Sequence, residues 1–61
     1  MKPVTWRAKP TAAYLNISYY TLLEMVKRGE IPHIRAGRLI LFRKETLDQW
    51  LMEQEQQSIG G

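Results

Sequence analysis

The chain has 61 residues, no cysteine and one histidine, His33, which allows one small core and excludes disulfides, thiolate metal sites and an enclosed substrate cavity of about 300 Å³ or more. Its net charge of +3 divides unevenly: residues 1–44 hold all nine Lys and Arg with two acids, and residues 45–61 hold four acids with no base. A block of +7 followed by one of −4 favours a polyanionic partner for the first two thirds of the chain over ordinary surface charge.

Residues 1–8 read as an extended arm, with Trp6 the only large apolar group able to fasten it. No apolar stretch follows Lys2, so a secretory signal is not expected. No run approaches the roughly 18 apolar residues of a membrane span, and a cytoplasmic location follows as the expectation. A compact domain then fills residues 9–57. Its first helix is expected over residues 9–15, with Pro10 tolerated in the first turn, where a backbone donor has no helical partner. Ala12 and Leu15 form its buried face, with Tyr14 partly covered.

Asn16 and Ile17 read as a turn and Ser18 as the N-cap of a second helix over residues 19–28. At about 100° per residue, Leu22, Met25, Val26 and Gly29 share one arc, while Tyr20, Leu23, Glu24 and Lys27 face the other way. Gly29 is placed to end the helix in a left-handed conformation. Two helices separated by one short turn have the spacing of a helix-turn-helix.

From Ile31 the period changes. The runs "IPHIRA" and "LILF", divided by Gly37, read as a β-hairpin. Its register is ambiguous, because residues 39–42 are all apolar. An odd loop such as Ala36-Gly37-Arg38 sets Ile34 beside Ile40 and Phe42. A two-residue Ala36-Gly37 turn sets it beside Leu39 and Leu41 instead. A last helix is expected over residues 44–56, with Leu47, Trp50 and Leu51 on one stripe and Glu45 and Asp48 complementing its dipole. Trp50 sits within that stripe among acids, so it reads as core rather than as a base-stacking platform. Residues 58–61 read as a flexible tail.

The order helix, turn, helix, two-stranded wing, helix makes an α+β fold, a small winged helix-turn-helix. In such a fold the second helix enters the major groove of DNA and its first residues meet base edges. Ser18, Tyr19, Tyr20 and Thr21 are therefore candidate DNA-binding residues, since hydroxyls bond phosphates or bases and rings contact a thymine methyl. Tyr19 has a second reading as a rim of the core, and Thr21 as a partner for a first-turn amide. Lys27 and Arg28, further along, suit phosphates. Glu24 would repel the backbone and is expected to pair with Lys27 or Arg28. On the wing, Arg38 at the tip is placed to reach a flanking minor groove, and Arg35 and His33 precede it on the first strand. Charged residues on a hairpin edge also serve simply to prevent aggregation.

The segments "AAYLNIS", "TL" three residues after Ser18, "GEIP", "RAGR" and "FRKETLDQWL", in this order and spacing, resemble the small winged helix-turn-helix domains of phage and mobile-element excisionases, which are related to the DNA-binding heads of MerR-type regulators. The resemblance spans about Trp6 to Leu51. It implies that Ile34, Ile40 and Phe42 face inward, which selects the odd loop, that Ser18 caps the recognition helix, and that Arg38 tips the wing. It also implies an architectural role: bending or coating an attachment site and directing a tyrosine recombinase (integrase), without cutting DNA. Glu24, where such domains often carry a base, and Leu39 and Leu41, at positions commonly polar, depart from the pattern. The two leucines have a further reading as an edge for a neighbouring copy or a recombinase.

The implied partners are double-stranded DNA, adjacent copies on DNA and an integrase. A small transcriptional regulator with the same contacts is the alternative, and a protein-interaction module a more distant one. No cofactor or metal is expected. Neither is catalysis, because the chain offers no nucleophile–base pair, metal cluster or glycine-rich phosphate loop.

Overall fold

The computed structural model describes residues 5–60, with side chains through residue 57. Strand β1 (Thr5–Trp6) leads into helices α1 (Ala8–Leu15) and α2 (Tyr19–Lys27), then β2 (Ile34–Ala36), β3 (Leu39–Arg43) and helix α3 (Lys44–Gly60). The strands form one antiparallel sheet in the order β1-β3-β2. This is the expected α+β winged helix-turn-helix, with a third strand. The arm contributes that strand: Thr5 pairs with Arg43 and Trp6 with Phe42. Residues 1–4 of the arm and Gly61 of the expected tail lie outside the described residues. Helix α3 continues past residue 56 through Gly60.

The two helices of the helix-turn-helix end by the same device. Asn16, at φ 60° and ψ 41°, adopts a left-handed conformation after α1. The Ile17 amide then donates to the Ala12 carbonyl at 3.0 Å and the Asn16 amide to Ala13 at 3.1 Å. This pair of bonds is the Schellman closure, and the residue after the left-handed position packs back on the helix. Ile17 does so against the core. At the end of α2, Gly29 takes φ +69°, with Glu30 donating to Met25 at 2.9 Å and Gly29 to Val26 at 3.0 Å. A side chain is disfavoured at such a φ, so Gly29 occupies the position sequence reasoning gave it.

Ala12, Leu22, Val26, Ile31, Phe42 and Leu47 make the buried core. Trp6, Leu15, Ile17, Met25, Ile40 and Trp50 pack around it. Leu47 is therefore the anchor of α3, with Trp50 half-buried beside it, while Leu51 of the expected stripe is exposed. Thr11 is fully buried, and its hydroxyl is satisfied by donating to the Arg7 carbonyl at 2.8 Å.

The hairpin register corrects the expectation of an odd loop. Ile34 pairs with Leu41, Arg35 with Ile40 and Ala36 with Leu39, so the loop is the two residues Gly37-Arg38. Gly37 has φ +63°, and Asn16 is the one non-glycine residue at positive φ among those described. Glycine at the first central position is the chemistry of a two-residue II′ turn, whose twist suits the flanking strands. Residues directly opposite share a sheet face. Ile34 thus joins Leu39 and Leu41 on the outer face, where Ile34 is 42% and Leu39 40% exposed. Arg35 takes the place opposite Ile40 that the odd loop assigns to Ile34, and Trp6 packs inward beside Phe42 from the other neighbouring strand. Its ring meets Tyr14 edge-on, centroids 4.9 Å apart at 69°.

Tyr14 also ties α1 to α3. Its hydroxyl donates to one oxygen of the Asp48 carboxylate, and the Lys44 ammonium lies 2.8 Å from the other. The same ammonium stands 5.9 Å above the Tyr14 ring. The bond from Lys44 holds the Asp48 carboxyl below its ordinary value, and the bond to Asp48 raises both the Tyr14 hydroxyl and Lys44 above theirs. A depressed carboxyl stabilises the fold above its unfolded pKa, and that contribution is lost as pH falls through the folded value. Raised Tyr14 and Lys44 stabilise below their unfolded values and lose that contribution as pH climbs through the folded ones. Stability, read as the urea midpoint, should therefore fall at both extremes of pH. In Asp48→Asn both limbs should flatten; a profile unchanged by the substitution would show that this cluster contributes nothing.

Candidate nucleic-acid interface

The start of α2 is built by one serine. Ser18 sits in extended backbone and its hydroxyl oxygen accepts from the Thr21 amide at 3.0 Å. The same hydroxyl donates to the Thr21 hydroxyl oxygen at 2.8 Å. Ser18 is thus committed to capping, while Thr21 keeps its own hydroxyl proton to give. Both residues are exposed.

The two tyrosines that follow differ. Tyr20 is 72% exposed, the largest value among the exposed large apolar residues. It projects from the first turn of α2 with nothing built around it. Tyr19 is 46% exposed and turns towards the start of α1, where the Lys9 ammonium stands 5.7 Å from its ring centroid. The cation and ring hold each other modestly at such an exposed site.

Further along α2, the Lys27 ammonium lies 3.7 Å from Glu24, the pairing expected for that acid. The Lys27 side chain remains 76% exposed, and a surface pair of this kind is weak enough to yield to a phosphate. Arg28 follows at the exposed C-terminal end of α2.

On the wing, Arg38 occupies the second turn position and is exposed. Arg35 lies opposite Ile40 on the helix-facing side of β2, exposed because β2 is an edge strand. His33 folds back instead: its Nδ1 donates to the Ile31 carbonyl at 2.8 Å and the ring is half-buried.

Between the start of α2 and the wing runs a groove of about 480 Å³. Arg7 and Lys9 line it from the start of α1, Tyr19 and Leu23 from α2, and Arg38 with Leu39 and Ile40 from the hairpin. The groove joins Tyr19 to Arg38, two of the residues singled out from sequence, and adds Arg7 and Lys9, which sequence reasoning had counted only as charge. The "RAK" triplet at the start of α1 was the available signal. Its importance depends on α1 bringing that triplet beside the wing, which no local pattern encodes. Among the described residues no group of three His, Asp or Glu is arranged to hold a metal ion. No helix of theirs is long and apolar enough to cross a membrane.

The cap carries a stability prediction. Ser18→Ala should cost about 1 kcal/mol and Ser18→Gly only a few tenths. Thermal melting distinguishes the two; equal losses would mean that the hydroxyl does not hold the start of α2.

Comparison with curated proteins and with solved structures found no match. A protein-family model described as a helix-turn-helix domain matches residues 9–55. That span contains α1 but for Ala8, all of α2 and the hairpin, and most of α3. Domains of this kind are typically non-enzymatic and place their second helix in DNA. The chain belongs to this helix-turn-helix family.

Proposed function

We propose that the chain is a sequence-specific binder of double-stranded DNA, acting as an excisionase, or recombination directionality factor, of a phage or mobile element. Helix α2 enters the major groove and the hairpin grips the adjacent backbone or minor groove. The observation that carries this reading is the capped, outward first turn of α2, with Tyr20 free at its head and the exposed Arg38 at the tip of the neighbouring wing. Ser18 sets the helix start, Tyr20 and Thr21 reach base edges, and Lys27, Arg28, Arg35 and Arg38 meet phosphates.

A single module of this size buries only about 600–1,000 Å² on DNA, which gives weak binding on its own. Adjacent copies and an integrase would strengthen it, and the exposed Ile34 on the outer sheet face offers apolar surface for one of them. A small transcriptional regulator using the same contacts is the alternative, and the two differ only in genomic context.

Reversing Lys27 and Arg38 together to glutamate tests the placement. Both side chains are exposed, and with the weak Glu24–Lys27 pair replaced by a like-charge pair the variant should still fold, at a slightly lower melting temperature. Retention on a double-stranded DNA column at about 50 mM salt, strong for the wild type by counterion release, should be lost. Undiminished retention of the folded variant would remove helix and wing from the interface.

A further inference from the structure

The three cations around the groove have one property in common. Neither ion pair among the described residues, Lys27–Glu24 or Lys44–Asp48, involves Arg7, Lys9 or Arg38. No acid lines the groove, and the acid of α2, Glu24, is engaged with Lys27. Three positive charges thus converge on a channel whose remaining wall is apolar, from Leu23, Leu39 and Ile40. A compact anion would meet the charges and leave the apolar wall unused. A linear polyanion that alternates charged and uncharged units matches both, and a nucleic-acid backbone alternates phosphate with sugar.

Resting on the DNA-binding reading above, we infer that the groove holds one backbone strand of the duplex between α2 and the wing, with Arg7 and Lys9 closing it from the α1 side. The helix-turn-helix then grips that strand from three elements rather than two. Lys9 is positioned by the Tyr19 ring, which makes Tyr19 a wall and a support for a phosphate contact rather than a reader of bases. Tyr20 is left as the aromatic group that meets the base edges. Arg7 is positioned by the backbone: its carbonyl accepts both the amide and the hydroxyl of buried Thr11, at 3.2 and 2.8 Å, so the residue cannot swing away from the start of α1.

Counterion release provides the readout. Each phosphate neutralised on duplex DNA adds about 0.9 to the slope of log affinity against log salt. The full chain is titrated onto a fluorescent mixed-sequence duplex between about 50 and 200 mM KCl. The variants are Arg7→Gln with Lys9→Gln, and Arg43→Gln as a control. Arg43 lies on the outer sheet face paired with Thr5, away from the groove. Both variants alter exposed side chains, and circular dichroism melting verifies that they fold. The double variant should lose about 1.8 from the slope, for two phosphates, and the control should match the wild type.

If the wild type binds and the double variant keeps the full slope, the groove inference is overturned while the α2 and wing contacts stand. If the wild type does not bind the duplex at low salt, both readings fall together. A double variant unaltered on DNA but weakened on polyglutamate would overturn the inference and assign the groove to an acidic peptide.

Discussion

Phe42 is the residue on which the geometry turns. It sits in the central strand of the sheet, fully buried and paired with Trp6 of β1. Leu22 and Val26 of the second helix and Leu47 of the last helix share its cluster. The wing is therefore fixed to the recognition helix by the same side chain that closes the core. In a domain whose total stability is roughly 3–9 kcal/mol at this length, truncating such a phenylalanine would cost about 3–5 kcal/mol. Core and interface geometry are not separable here, and the spacing between helix and hairpin survives only while the fold does.

The same economy appears in the helix ends. Asn16 and Gly29 turn the chain through left-handed backbone, and Ser18 starts α2 three residues after α1 ends. These local devices determine which way the first turn of α2 points without drawing on a large core. They leave Tyr20 and Arg38 exposed. Helix α3 contributes differently: Leu47 seals the core, and Asp48 with Lys44 fastens Tyr14, leaving the acidic remainder outside the proposed interface.

Sequence reasoning succeeded where the governing chemistry is local. Ser18 and Gly29 were identified as the ends of α2 because capping hydroxyls and left-handed glycines act within one turn. The Glu24–Lys27 pair followed from helical spacing. The hairpin register was missed because residues 39–42 are apolar throughout and give no alternation to read. The loop that forms, Gly37-Arg38, differs both from the odd loop the family pattern implies and from an Ala36-Gly37 turn. That one slip puts Ile34 on the outer face and Arg35 opposite Ile40. The two-residue β1 is too short to show any period, and its pairing with β3 is a long-range event. The groove was invisible for the same reason: Arg7, Lys9, Tyr19 and Arg38 come from four stretches that meet only after folding.

Nuclear magnetic resonance of the backbone amides during titration with duplex DNA tests the central claim most directly. The account predicts the largest shifts at residues 18–28 and at Gly37 and Arg38, with the amides of α3 beyond Leu47 nearly unmoved. Shifts gathered on α3 or on the outer sheet face around Ile34 and Leu41, with the first turn of α2 silent, would contradict it.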